Sequence, residues 1–298
     1  MSQGLQVFLL SWRNPQAEQA DWGMDTYARC IVEALETACE VSGSDDVTTI
    51  GFCAGGILTS TVLSHLAQTG RPLVHSASYG VTLLDFDGEA PIGAFSAPRL
   101  LELTRHDSRR RGVISARSIG TVFAWMRPHD LAFNHVVNNW LPGDDPPVFD
   151  VLAWNADGSN LPACLHEQFL GSFRDNTLAR PGGVSVLGTP IDLSSIQVPT
   201  FVTGAVNDHP TSNAGHIASL VNPPGNPKAS YWVGGEPGPD PAAWRESAEQ
   251  RTGSWWEAWS GWVLERSGDD EQAPRGPGSE RHPPLEPAPG SYVLDRVP

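Results

Sequence analysis

"VTTIGFCAGGILTSTVLSHLA", residues 47–67, decides how this chain folds. Its β-branched opening predicts a strand, and the run from Ala54 onward has helical spacing with small residues at its start. Between the two stands Cys53, inside Gly51-Phe52-Cys53-Ala54-Gly55-Gly56. A strand that reverses directly into a helix needs residues this small, and the turn lifts its central side chain above the sheet. G-x-C-x-G-G therefore has the form of a nucleophile elbow, with cysteine in the place of serine and the Ala54 N–H as one oxyanion donor. A helix N-terminus favours an anion, and the thiolate is the attacking form of cysteine. The plainer reading is a buried cysteine in a glycine-rich turn, since the pattern also arises by chance.

Outward from the elbow, strand and helix alternate. "VFLLSW" (7–12), closed by "RNP", predicts a buried parallel strand. Tyr27, Ile31, Leu35 and Ala38 mark one face of a helix, on which Cys30 and Cys39 read as small buried hydrophobes. "SASYGVTLL" (76–84) predicts a second strand after the elbow helix, ending in Asp85. Residues 86–195 show no sustained period of two and read as an inserted cap, whose Trp140 and Trp154 fill a core rather than line an acyl channel. "VPTFVTGAVND" (198–208) restores a strand that ends in acid. Trp255, Trp259 and Trp262 are spaced to form the core-facing side of a terminal helix, and 269–298 is too rich in Pro, Gly and charge to fold by itself. The predicted fold is α/β: an incomplete α/β-hydrolase-like parallel sheet over 1–268, with 86–195 as inserted cap, a C-terminal Trp-rich helix, and 269–298 as an extended tail.

In that fold class the order along the chain is nucleophile, acid after a late strand, then histidine in the last loop. Cys53, Asp208 and His216 occur in that order, with His209 as a second candidate base. Asp25, Asp85, Asp130 and Asp150 sit near element ends and read as caps or loop acids. With 34 acidic and 19 basic residues the formal charge is −15, which argues against a nucleic-acid partner. The one basic cluster, Arg105 with Arg109, Arg110 and Arg111, reads as a solvated helix face in preference to a site for coenzyme A phosphates. No run approaches the roughly 18 apolar residues of a membrane span, and the start lacks a signal peptide's pattern, so a cytoplasmic address is expected. Four cysteines without C-x-x-C or zinc spacing read as thiols, and covalent thiol chemistry implies neither metal nor other cofactor.

The chain resembles the poly(3-hydroxyalkanoate) synthases, which polymerise (R)-3-hydroxyacyl-CoA thioesters. The likeness rests on "SWRNP" from Ser11, "GFCAGG" from Gly51, "VVNNWLPGDDPPVFDVLAWNADGSNLP" from Val136, "GHIASLVNPPGNPKASYW" from Gly215, "GSWW" from Gly253 and "PPLEPAPGSYV" from Pro283. It implies that Cys53 carries the growing acyl chain as a thioester, that His216 activates the thiol and the incoming hydroxyl, and that Asp208 orients the histidine or assists the hydroxyl. It further implies coenzyme A thioesters as substrates, the surface of cytoplasmic polyester granules as location, and a homodimer or pairing with a full-length synthase.

Two differences accompany it. The chain is expected to lack the family's N-terminal domain and first strands, leaving a sheet edge and face exposed. Only eight positions separate Asp208 from His216, where the family places a helix and a strand. A hydrolase of polyesters or thioesters, and an inactive remnant that binds granules or a full-length synthase, are the alternatives.

Overall fold

The structure, a computed structural model, describes residues 3–87, 98–126, 141, 157–204, 222, 224–227, 229–235, 238, 240–272, 276–291 and 294. In chain order its helices are α1 (Met24–Ser42), α2 (Ala54–Gln68), α3 (Pro98–Arg111), α4 (Ala116–Met126), α5 (Ala163–Asp175), α6 (Pro241–Ser247) and α7 (Trp255–Leu264). The longer strands are β1 (Val47–Phe52), β2 (Val74–Gly80), β3 (Thr200–Thr203), β4 (Ser230–Val233) and β5 (Glu249–Thr252). Contacts divide the chain into two units. One comprises Met1–Leu9, Val32–Leu83 and Ser194–Pro284, the other Leu10–Ile31, Leu84–Leu193 and Leu285–Pro298.

The first unit holds the parallel sheet, in the order β1-β2-β3. β1 and β2 pair with Ile50 beside Ser78 and Phe52 beside Gly80, and β2 and β3 with Ser78 beside Phe201. The crossover from β1 to β2 is α2, whose residues Gly56 to Leu66 are all buried. A helix buried on every side must satisfy its own hydroxyls, and Thr59, Ser60 and Thr61 each donate to a carbonyl three or four residues back, at 2.8 Å. β4 and β5 form a separate antiparallel pair.

The tryptophans of α7 cover one face of the sheet, strand by strand. Trp256 meets Phe52 of β1 with ring centroids 6.3 Å apart, Trp259 donates its indole N–H to Ser78 Oγ of β2 at 2.9 Å, and Trp262 meets Phe201 of β3 at 5.5 Å. Three helical residues advance about 4.5 Å along the axis, close to the roughly 4.8 Å between neighbouring strands. A step of three thus places one indole over each strand. Of the expected core-facing row, Trp259 and Trp262 meet the sheet and Trp255 is buried, stacked at 4.2 Å on Trp256, which takes the place over β1. Ser254, fully buried, caps α7 by accepting from the Trp256 N–H and donates to the Asn222 carbonyl. Trp259→Phe keeps an aromatic ring but loses part of the indole's bulk and leaves buried Ser78 without its donor, so it should cost at least about 1 kcal/mol in denaturant unfolding; an unchanged midpoint would contradict the contact.

Two strand expectations are corrected. Residues 7–12 form no strand: Val7, Phe8, Leu9 and Leu10 are 52%, 47%, 89% and 43% exposed. An apolar run becomes a strand only when a neighbour takes up its N–H and C=O groups in a ladder, and no ladder among the described residues includes residues 7–12; Trp12 packs on Tyr27 at 4.9 Å. β2 stops at Gly80, not Leu84, because Val81 adopts φ 45°, outside the β region. The helical face of α1 is as expected, with Tyr27, Ile31, Leu35 and Ala38 all buried, but Cys30 lies off that face and is exposed. Among the described residues of 269–291 there is no helix or strand. Within that segment Ser279, Arg281 and His282 gather at one carboxylate, Glu40, which accepts from Ser279 Oγ at 2.5 Å and lies 3.5 Å from Arg281 and 3.8 Å from His282.

In the second unit α3 packs against α5. His166 Nδ1 and Ser108 Oγ meet at 3.0 Å, both buried, and Glu167 binds Arg105 and Arg109. Arg110 and Arg111 pair with Asp107, so the basic cluster is balanced by acids of its own unit. Asn160, also buried, joins three segments by donating to Pro15 O and accepting from Ala116 N while its own N–H reaches Asn14.

Burial, reinforced by nearby Arg105, pushes the His166 imidazole below the usual histidine range against the opposing pull of Glu167. The Arg105 and Arg109 hydrogen bonds hold Glu167 below the usual carboxylate range. Both groups bind protons more readily in the unfolded chain, so both contribute stability that is lost on acidification. The histidine contribution should fade first, as pH falls below about 6.5. Hydrogen exchange of α5, corrected for intrinsic rates, should accelerate over that range in the wild type and much less in His166→Gln; a pH-independent α5 would contradict this.

Candidate active site

Cys53 lies where β1 turns into α2, exposed, with φ 49° and ψ −120°. A non-glycine residue held in that region costs on the order of 1–3 kcal/mol and persists only where its surroundings over-determine it. Here they do. The Cys53 N–H donates to Gly80 O at 2.9 Å, and its carbonyl accepts from the N–H groups of Gly56 and Ile57 at 3.0 and 3.2 Å and from Thr82 Oγ1 at 3.4 Å.

The glycines around it have distinct reasons. A Cβ on Gly51 would lie 2.7 Å from Gly56 Cα and 2.9 Å from Gly56 N, so strand and helix pass backbone against backbone. A Cβ on Gly56 would fall 2.0 Å from Thr82 Oγ1, while one on Gly55 would meet nothing within 4 Å. The side chain of Cys53 is thus presented at a turn that two close approaches enforce. At the start of α2 the Ala54 and Gly55 N–H groups have no acceptor among the described residues. Donors of this kind suit a developing oxyanion.

Two of the other three thiols are less accessible. Cys39 and Cys164 are partly buried, and burial, aided by nearby carboxylates, pushes both above the usual thiol range. They are less ready to form thiolate.

In a parallel sheet the C-terminal ends of the strands share one edge. Cys53 directly follows β1 there, and β3 ends at Thr203 on the same edge. Asp208 and His216 come after β3 in the chain and lie outside the described residues, as do His209, Asp130, Asp150, Trp140 and Trp154. The structure therefore places Cys53 and Ala54 of the expected site. Thr82, in contact with the elbow, escaped the sequence reading, because a β-branched pair after "SASYG" reads as more strand.

No family model matches the chain. Curated relatives do, over nearly its whole length. It is 42% identical to poly(3-hydroxyalkanoate) polymerase 2 of Ectopseudomonas oleovorans, across 99% of this chain and 57% of that protein. It is 38% identical to poly(3-hydroxyalkanoate) polymerase 1 of the same organism, across 98% of this chain and 56% of the relative. Against the poly(3-hydroxyalkanoate) polymerase subunit PhaC of Cupriavidus necator the identity is 35%, across 98% and 54%. The chain spans about half the length of these relatives. The first alignment covers 318 positions against 298 residues here, so at least 20 positions of that polymerase (318 − 298) have no counterpart in this chain. With identities of 35% to 42% sustained from end to end, the chain is homologous over nearly its whole length to the poly(3-hydroxyalkanoate) polymerases.

Proposed function

We propose that this chain is an acyltransferase that builds polyester from (R)-3-hydroxyacyl-CoA through a thioester on Cys53. The observation that carries the reading is the exposed Cys53, held at φ 49° on a strand-to-helix turn in a chain homologous throughout to polymerases. His216 takes the thiol proton, and the thiolate attacks the substrate carbonyl. The Ala54 N–H stabilises the resulting oxyanion. The carbon–sulfur bond to coenzyme A then breaks, leaving the acyl group on Cys53, and free coenzyme A departs with a proton.

In the second half of the cycle, a hydroxyl deprotonated by His216 attacks the Cys53 thioester, forms the new ester bond and frees the thiol. Asp208 orients the histidine. Exchange of one thioester for another is near thermoneutral, so thiol chemistry suits this substrate without a metal or further cofactor. Work at the surface of cytoplasmic polyester granules, as a homodimer or beside a longer polymerase, belongs to the same proposal. No described helix is long and apolar enough to cross a membrane.

Incubation with (R)-3-hydroxybutyryl-CoA tests it: coenzyme A release, by thiol titration, should accompany polymer. Release of free hydroxy acid without polymer would identify a hydrolase instead. No release from a folded sample would identify a non-catalytic granule-binding or synthase-pairing chain.

A further inference from the structure

We infer that Thr82 is a positioning residue for Cys53, clamping the elbow from the end of the neighbouring strand. The inference rests on Cys53 being the nucleophile. Past β2 the chain turns through Val81, whose φ of 45° is exceptional for a β-branched residue. Val81 is buried, and its N–H is tied to Thr203 O of β3 at 2.7 Å. The turn carries Thr82 out of the sheet and over the first turn of α2. There its hydroxyl lies 3.1 Å from Gly80 O and 3.4 Å from Cys53 O, donating to the pair of them. Gly80 O already accepts the Cys53 N–H. Gly80 and Thr82 together therefore hold both the N–H and the carbonyl of the strained residue.

The Gly56 and Ile57 bonds to the Cys53 carbonyl are those that any helix start supplies. Thr82 comes from the neighbouring strand, so its contact links the elbow's ψ to the sheet. Its methyl and Cβ fill the space over Gly56, where an added Cβ would lie 2.7 and 2.8 Å from them. Two strained backbones, Cys53 and Val81, thus meet through one side chain at the C-terminal edge of the sheet. Strain of this kind gathers where geometry serves function.

The test compares wild type, Thr82→Val, Thr82→Ser and Thr82→Ala by the rate at which iodoacetamide labels Cys53, read by peptide mass spectrometry across pH. Cys39 and Cys164 in the same chain report any general loosening. Thr82→Val, which keeps the shape and loses the hydroxyl, should slow Cys53 labelling about three- to tenfold, the scale of one hydrogen bond. Thr82→Ser should stay within about twofold of wild type, with Cys39 and Cys164 unchanged in both. If Thr82→Val loosens the fold, the Ser and Ala variants, which differ only in the hydroxyl, make the same comparison. Equal Cys53 rates with and without the hydroxyl overturn the inference. Coenzyme A release is measured separately: a wild type that labels as expected but releases none refutes the catalytic reading and leaves the clamp standing.

Discussion

Cys53→Ala should lower coenzyme A release from (R)-3-hydroxybutyryl-CoA by at least about a thousandfold, leaving only what the oxyanion donors and binding supply by themselves. Alanine at φ 49° bears much the same backbone strain as cysteine, and the bonds to Gly80, Gly56 and Ile57 are all backbone bonds that survive the change. The variant should therefore unfold at nearly the wild-type midpoint, and the loss belongs to chemistry. Cys53→Ser keeps an oxygen nucleophile but asks the base to remove a far less acidic proton, so it too should fall steeply. Release that survives Cys53→Ala would move the chemistry elsewhere.

The second large effect concerns the glycines of the elbow, which look alike in sequence and differ in space. Gly51→Ala drives a methyl into the Gly56 backbone, and Gly56→Ala drives one into Thr82. Neither neighbour is the free end of a long side chain. Each substitution should cost about 1–3 kcal/mol, the scale of overpacking, and should slow Cys53 labelling as the turn opens. Gly55→Ala, with open space around its Cβ and helical backbone, should be neutral or stabilising by up to about 1 kcal/mol. Chemical denaturation of the three variants checks the order. A Gly55→Ala as damaging as the other two would mean that the turn is packed differently.

How far the sequence spoke depended on what each signal physically encodes. The elbow was legible because its cues are local: β-branched residues, then a cysteine among glycines, then helical spacing, all within residues 47–67. The parallel pairing of β1, β2 and β3 followed from alternation. The core-facing row of Trp255, Trp259 and Trp262 was legible from the helix period, but the place of Trp256 over β1 was not, because the spacing between strands selects which tryptophans meet them. Residues 7–12 were misjudged because pairing is a property of two segments, of which the run shows one. Val81 and Thr82 were hidden by their own propensity: both favour strands, and only the tertiary ties to Thr203, Gly80 and Cys53 override it. For Asp208 and His216, which lie outside the described residues, the sequence offers an order along the chain and no distance.

The most direct measurement is the mass of the Cys53 peptide after brief incubation with (R)-3-hydroxybutyryl-CoA and acid quench. A thioester-linked hydroxybutyryl group on Cys53, absent from the peptides of Cys30, Cys39 and Cys164 and labile to hydroxylamine, is the predicted result. An unmodified Cys53 in a sample that releases coenzyme A, or an acyl group carried by another residue, would contradict the account.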